Sequence, residues 1–564
     1  MQANDNTYPR PSAQLAVMAL EKFGVRDVVL SPGTRNAPLI LACNASRALR
    51  KHLIVDERSA AFFALGLAAC SQKPVALVCS SGSAMLNYAP ALAEAYYRQI
   101  PLITLTADRP EEWIDQADSQ TIRQPGALSA VVKKSVTVPD FDVDDIEQKE
   151  FAGRLIADAF SCALKSPSRP VHLNFPFHLP LGPVFPSIGV CRLPDTICQP
   201  PHLSNAQLKE LAQRCIGKSI LFVCGSMPPN HRINKALNRL SSVAGVVILA
   251  EATANLHGEH IINNTDATLA FLPEGSSPDI VIVCGGALVS GQLKSYLRGL
   301  KECDQWYIGP YADTLQDTFR RLTLSIESEP DKFFPGFTSF LSRNRGDNEL
   351  KSFALSWAQA SKKGEEHYAS FSSRAKWSEL KALASIFPQI PDSWNLHLSN
   401  GTAIRYALLH GRHRLHSIVC NRGVSGIEGS TSTAVGAAYA YSKPTLLITG
   451  DMSFSYDIAA LAIKEIPKNF KVIVLSNSGG GIFRVISKTA HLPQREELFC
   501  MEPKLPLESL ANAYGFRFFR AINEDELMNC LTGFLGDDSS PAILELKVDS
   551  ETSAEMFRKY YTFK

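Results

Sequence analysis

Two short segments in the C-terminal third place oxygen-bearing residues and glycines directly after apolar runs. Gly450-Asp451-Met452-Ser453 follows the run 445–449, and Asn477-Ser478-Gly479-Gly480 follows the run 471–475. Each run reads as a buried parallel strand, and open α/β sheets place ligands at the carboxyl ends of their strands. The Asp451 carboxylate, the Asn477 amide oxygen and a backbone carbonyl from the glycine stretch make a set of hard oxygen donors. Such a set suits Mg²⁺ or Ca²⁺ bridging a diphosphate. The glycines let the backbone close on phosphates and leave N–H groups to point at them. Taken alone, a strand followed by Gly-Asp also reads as a simple turn.

The pair of segments resembles the diphosphate motif of thiamine-diphosphate enzymes, Gly-Asp-Gly followed further along by Asn-Asn. Met452 stands for the last glycine and Ser478 for the second asparagine, while Asp451 and Asn477 keep the metal-ligand positions. A third segment near the N-terminus, Val55-Asp56-Glu57-Arg58-Ser59, precedes a small, apolar stretch at 60–70. Enzymes of this type use a glutamate on a separate domain to hydrogen-bond the aminopyrimidine and favour the imino tautomer that removes the thiazolium proton. The resemblance assigns that role to Glu57. A carboxylate facing an apolar stretch has its charged form disfavoured by desolvation, which suits proton sharing. The plain alternative is a charge cluster capping the following helix. An Asp451→Ala chain is expected to lose metal-dependent cofactor binding and keep its fold.

The elements that must hold these residues fall into three αβ blocks, and 564 residues are enough for about three domains. The first, 1–190, has strand-like runs at 28–30, 75–79, 102–106 and 170–176, with helical patterns at 13–23, 60–70 and 84–97. A proline-rich passage follows, from Pro180 through Pro201. The second, 205–345, has strands at 220–224, 246–250, 280–284 and 305–308 and reads as a Rossmann-like middle domain. Cys284-Gly285-Gly286 suggests a nucleotide turn, but no G-x-G-x-x-G is present, so this block reads as structural. The polar stretch 343–349 and a helix-rich stretch, 352–375, link it to the third block, 376–564, with strands at 417–420, 445–449, 472–475 and 542–546. The fold class expected is α/β: two doubly wound parallel-sheet domains flanking a Rossmann-like one.

Composition narrows the function class. The formal net charge of +2 offers no electrostatic case for nucleic acid or an anionic membrane. No apolar run reaches the ~18 residues that span a bilayer, and residues 1–10 contain no signal-peptide core. The 13 cysteines include no C-x-x-C and read as free thiols in a reducing cytoplasm.

With all blocks in view, the chain resembles, from about residue 10 to its end, the menaquinone-pathway family of 2-succinyl-5-enolpyruvyl-6-hydroxy-3-cyclohexene-1-carboxylate synthases. Six segments carry the resemblance in order: Ser31-Pro32-Gly33-Thr34-Arg35, Asp56-Glu57-Arg58, Thr106-Ala107-Asp108-Arg109-Pro110, Gln120 through Gly126, Asn421 through Gly429, and Gly479-Gly480-Gly481-Ile482-Phe483. It implies a carboligase: 2-oxoglutarate is decarboxylated on thiamine diphosphate and the resulting carbanion adds to isochorismate. The implied metal is Mg²⁺ or Mn²⁺, on Asp451, Asn477 and the Gly479 carbonyl. Glu57, Gly401, Ile427, Ser453, Ile482 and Phe483 would join those three around the cofactor. Ile427 would support its bent conformation, and Ile482 and Phe483 would wall it; their bland reading is core packing. Thr34, Arg35, Arg109, Gln120, Arg405 and Arg422 would line the substrate pocket. Both substrates are polyanions, and guanidinium forks pair with carboxylates in a fixed planar geometry; singly, each arginine also reads as an ordinary salt bridge. The resemblance further implies a cytoplasmic homodimer or larger homo-oligomer, with Glu57 of one chain meeting the diphosphate site of another.

This chain departs from that pattern in three places. Thr34 replaces a usual serine and keeps a hydroxyl. Gly401 stands where the family often has serine. A basic middle-domain residue that contacts the acceptor falls at Gly291, with Lys294 one helical turn on as a substitute. Other signals carry less. His410-x-x-His413-x-x-His416 lies among arginines and reads as a basic connector. His257-Gly-Glu-His260 has no third ligand. Ser80-Ser81-Gly82-Ser83 reads as a tight strand-to-helix turn and lacks the full nucleophile-elbow pattern. The competing functions are another thiamine-diphosphate 2-oxo-acid decarboxylase or acetohydroxyacid-type synthase, and a non-catalytic homologue that binds a nucleotide or diphosphate. The first is disfavoured by the lack of a flavin fingerprint, the second by the presence of Glu57, Asp451 and Asn477.

Overall fold

A computed structural model describes residues 7–310, 314–343, 350–411, 414–464, 466–486 and 488–563. Among the described residues, eighteen strands form three six-stranded sheets in which every strand pairing is parallel. The first sheet contains β1 (Asp27–Leu30), β2 (Arg50–Leu53), β3 (Val75–Cys79), β4 (Leu102–Asp108), β5 (Lys134–Thr137) and β6 (Val171–Pro176), in the order β2-β1-β3-β4-β6-β5. The second contains β7 (Ile220–Cys224), β8 (Val246–Ala250), β9 (Ile261–Ile262), β10 (Ile280–Cys284), β11 (Asp304–Gly309) and β12 (Leu322–Glu327), ordered β12-β11-β10-β7-β8-β9. The third contains β13 (Asn395–Leu398), β14 (Ser417–Cys420), β15 (Thr445–Gly450), β16 (Phe470–Ser476), β17 (Arg517–Ala521) and β18 (Ala542–Lys547), ordered β14-β13-β15-β16-β18-β17.

The first and third sheets share one topology, and the middle sheet has the strand order of a Rossmann sheet. The fold is the three-sheet α/β architecture expected. The interior strands are the continuous apolar runs that sheets covered on both faces require: Val75–Cys79, Ile220–Cys224 and Val246–Ala250 are buried along their whole length. In the first and third sheets the strand order reverses between β1 and β3, and between β13 and β15. Ser31-Pro32-Gly33-Thr34-Arg35 and Ser80-Ser81-Gly82 follow the first pair; Asn400-Gly401 and Asp451 follow the second. Those are the crevices in which open sheets bind ligands. In the middle sheet the equivalent backbone groups are used within the fold: Gly225 N donates to Cys284 O (2.9 Å) and Gly286 N to Ser226 O (2.7 Å).

The chain packs as two compact units. One holds Met1–Gln199, Gly423–Ser442 and Asp457–Pro467; the other holds Pro200–Arg422, Lys443–Tyr456 and Lys468–Lys564. Within the first, helix Ser430–Ala440 lies against helix Glu57–Ser71 so closely that a Cβ on Gly66 would stand 1.9 Å from Thr433 O, and one on Gly436 2.0 Å from Phe63 O. The pattern expected at 84–97 is two helices, Ser83–Asn87 and Ala89–Arg98, the second with proline in its first turn. The stretch 352–375 is one helix, Lys351–Arg374. Residues 344–349 of the polar linker, and Arg412 and His413 of the histidine series, lie outside the described residues. All 13 cysteines are free, and among the described residues no helix is long and apolar enough to cross a membrane.

Candidate active site

The diphosphate-motif residues meet in the second unit because the β15–β16 register sets Gly450 opposite Leu475, which brings the two strand ends level. Asp451 and Asn477 are buried. The Asp451 carboxylate accepts from three backbone N–H groups: Met452 N to Oδ1 (2.7 Å), Asn477 N to Oδ2 (3.1 Å) and Gly479 N to Oδ2 (2.9 Å). Burial raises its pKa, and these donors together with the Arg484 charge oppose the rise. Asp451 therefore organises both loops, and Asp451→Ala does more than delete a ligand. The Gly479 N–H, expected to point at a phosphate, is engaged here by Asp451.

Asn477 donates through Nδ2 to Glu379 Oε1 (2.8 Å), while its Oδ1 is buried with no hydrogen-bond partner among the described residues. A buried orphan oxygen beside a carboxylate fits a hard divalent cation. The third expected ligand fits less well, because Gly479 O accepts from Arg484 Nη1 (2.8 Å) and that guanidinium is held by Glu496. Ser453 is buried in the helix that Asp451 begins. Ile482 and Phe483 are half-buried on the short helix Gly481–Val485, and the Phe483 ring tilts against Phe499. Gly401 has φ +107° and ψ −129°, a backbone region that side chains avoid, with open space where a Cβ would stand. The serine of the family pattern would be strained in this conformation.

Three cations gather in the same unit. Arg405 donates to Gly401 O, and Arg422 Nη1 donates to Asn400 Oδ1 (2.8 Å) while its buried Nε has no partner among the described residues. Burial and then the Arg422 charge lower the pKa of both Arg405 and Lys294, and Arg405 also acts on Lys294. Lys294 rides on helix Gly291–Gly299, whose entry is fixed by Glu251 accepting from Val289 N (2.6 Å) and Ser290 N (2.7 Å). Burial pushes the Glu251 pKa up to about 7. Like charges held this close call for an anionic partner.

The remaining sequence-selected residues lie in the first unit. Asp56 caps the helix by accepting from Ser59 N (2.8 Å), so the capping reading holds for Asp56, and Glu57 opens the helix half-buried. The Glu57 charge acts on the buried Cys79 thiol and Tyr88 hydroxyl. Asp457 anchors the same corner, accepting from Ser432 N (2.6 Å), and burial raises its pKa to about 6. Glu94 accepts from Gly423 N (2.8 Å) and Val424 N (2.7 Å), fixing the start of the segment that carries the part-exposed Ile427. Arg35 is buried and donates to Phe177 O (2.9 Å); burial, then the Arg109 charge, lowers its pKa. Arg109 pairs with Asp118 (3.2 Å), and Thr34 is exposed. Gln120 has φ +56° and locks onto the Ser80 turn, with Ser81 Oγ donating to Gln120 O (3.0 Å) and Gln120 Nε2 to Ser81 O (3.2 Å). Helix Ser83–Asn87 starts directly after this turn, as read from the sequence.

Comparison with known proteins adds an independent line. Residues 12–127 match the N-terminal binding domain of thiamine pyrophosphate enzymes, and residues 400–546 match their C-terminal binding domain. A 2-succinyl-5-enolpyruvyl-6-hydroxy-3-cyclohexene-1-carboxylate synthase of Porphyromonas gingivalis is 37% identical over 569 residues, covering 99% of this chain and 98% of the relative. The synthase of the same name from Cytophaga hutchinsonii is 36% identical, covering 96% of each chain, and that from Flavobacterium psychrophilum is 36% identical over 98% and 99%. The chain belongs to this synthase family.

Several residues of this family member escaped sequence reading. Glu251 and Asp457 act through contacts between segments 38 and 25 residues apart, and Arg484 through Gly479, five residues back, and Glu496, 12 residues on. Glu379 had a local signal: Glu379, Leu383 and Ile386 share one face of helix Glu379–Ile386, and all three are buried. A carboxylate within an apolar stripe is a mark of a partnered, working group. It accepts from Thr402 Oγ1 (3.2 Å) as well as from Asn477, and burial pushes its pKa to about 7.

Proposed function

We propose that the chain catalyses the thiamine-diphosphate-dependent decarboxylation of 2-oxoglutarate and joins the remaining succinyl unit to isochorismate. The products are 2-succinyl-5-enolpyruvyl-6-hydroxy-3-cyclohexene-1-carboxylate and CO₂, in menaquinone biosynthesis. The reading is carried by one juxtaposition: an orphan Asn477 oxygen beside the Asp451 carboxylate, in the unit that also holds the Lys294, Arg405 and Arg422 cluster. When bound, thiamine diphosphate supplies the nucleophilic carbon and the electron sink. Asp451 and Asn477, with the Gly479 carbonyl, would hold Mg²⁺ or Mn²⁺, which would supply charge neutralisation for the diphosphate. Glu57 holds the proton shared with the aminopyrimidine nitrogen. Gly401 and Ser453 border the cofactor, and Ile427, Ile482 and Phe483 exclude water from it.

Arg405 and Arg422 take the carboxylates of 2-oxoglutarate, and Arg35, Arg109, Thr34 and Gln120, with Lys294, orient isochorismate. Guanidinium forks favour donors with two carboxylates over pyruvate. The enzyme is a cytoplasmic homodimer or larger homo-oligomer, its domains running 1–190, 205–345 and 376–564, with Glu57 supplied across the dimer. Purified protein given thiamine diphosphate, Mg²⁺, 2-oxoglutarate and isochorismate should release CO₂ as isochorismate absorbance falls. No isochorismate loss, or better use of pyruvate than of 2-oxoglutarate, overturns the assignment in favour of a generic decarboxylase.

A further inference from the structure

We propose that Glu379 is the positioning residue that orients the Asn477 amide, so that its oxygen and not its nitrogen faces the divalent cation. This rests on the reading of Asn477 as a metal ligand. An asparagine amide presents an acceptor on one side and a donor on the other, and only its partners decide which way it turns. Here the partner is a buried carboxyl oxygen: Glu379 Oε1 lies 2.8 Å from Asn477 Nδ2. Turning the amide over would set two acceptor oxygens against each other and aim N–H groups at the cation. In the observed orientation Asn477 Oδ1 stays buried with no partner among the described residues, poised for a ligand-binding role.

Glu379 is itself held from two sides. Its backbone N–H donates to Ser553 Oγ (3.3 Å) on the C-terminal helix, and Thr402 Oγ1 donates to the same oxygen that Asn477 uses. Thr402 begins helix Thr402–His410, which carries Arg405. One carboxyl therefore ties the amide of the metal side to the helix of the cationic cluster. Partners in the shell around metal ligands typically set affinity by ~10–100-fold.

The test measures Mn²⁺ affinity of the full-length protein by electron paramagnetic resonance, with thiamine diphosphate saturating and without substrates. Glu379→Leu should weaken Mn²⁺ by about 10–100-fold, and Glu379→Asp, whose shorter carboxyl draws the acceptor away, by about fivefold or more. Glu379→Gln keeps an acceptor oxygen and should rescue affinity to within about threefold of wild type. In an Asn477→Ser background, where the hydroxyl cannot reach residue 379, Glu379→Leu should change Mn²⁺ affinity by less than about twofold. A merely structural glutamate would weaken binding equally in both backgrounds, and that result overturns the proposal. Wild-type affinity in folded Glu379→Leu also overturns it; should that variant not fold, wild-type affinity in Glu379→Asp does so. If Asn477→Ser alone binds Mn²⁺ like wild type, the ligand reading has failed and the inference falls with it.

Discussion

Replacing Asp451 by alanine leaves three backbone donors, at 2.7, 3.1 and 2.9 Å in the intact protein, facing a buried gap. An unpaired buried donor costs about 1–3 kcal/mol. Part of that is offset, because the carboxylate being removed is itself poorly solvated, as its raised pKa shows. A net loss of about 3 kcal/mol in the local opening energy follows, which is ~100-fold faster amide exchange at roughly 1.4 kcal/mol per tenfold. Asp451→Asn keeps one acceptor oxygen and should lose about half as much. Hydrogen–deuterium exchange by mass spectrometry reads this directly on peptides covering residues 450–456 and 476–484, with neither metal nor thiamine diphosphate present. Both variants should also lose Mn²⁺-dependent cofactor binding in calorimetry. Exchange within about threefold of wild type in Asp451→Ala would refute the idea that this carboxylate organises the two loops.

Glu57→Gln should bind thiamine diphosphate but slow its C2 hydrogen–deuterium exchange by ~10²–10⁴-fold, the usual contribution of a positioned acid or base; unchanged exchange removes Glu57 from catalysis. Mixing inactive Glu57→Gln and Asp451→Asn subunits should restore about a quarter of the sites if each site draws on both chains, and none if each lies within one chain. Arg405→Ala should raise KM for 2-oxoglutarate far more than for isochorismate, with a loss of ~2–5 kcal/mol in binding, and Arg109→Ala should show the reverse bias; equal effects on both substrates would undo the assignment of pockets. Buried His172, between Thr106 (2.7 Å) and Ser135 (3.0 Å), has its pKa pushed down to about 4 by burial. Its folded value lies below the unfolded ~6.5, so the stability it contributes is complete above pH ~6.5 and is lost as pH falls toward 4, by up to ~3 kcal/mol. Urea unfolding of His172→Gln should therefore be less acid-sensitive than wild type, and identical pH slopes would contradict this.

Local chemistry in the sequence determined a good deal. Interior strands such as 75–79, 220–224, 246–250 and 280–284 were legible to the residue, because a strand covered on both faces must be apolar throughout. Asp451 and Asn477 were legible because a strand followed by small oxygen-bearing residues is itself a local pattern. Five of the six unforeseen strands, β2, β5, β9, β12 and β17, lie at sheet edges. There one side meets water and polar residues such as those of Arg50–Leu53 are tolerated, so no apolar run marks them. The sixth, β13, is central but only four residues long, and its Asn395 and His397 interrupt the apolar run. What only the tertiary structure decided are the relations between distant segments. Glu379 and Asn477 are 98 residues apart in the chain and share a hydrogen bond. Lys294, Arg405 and Arg422 become one electrostatic cluster only when the middle-sheet helix meets the ends of the third sheet. The engagement of Gly479 by Asp451 likewise depends on two segments 28 residues apart arriving together. Periodicity and motif report what a residue needs from its own neighbours, whereas burial and charge at these sites are set by groups that only folding brings within a few ångströms.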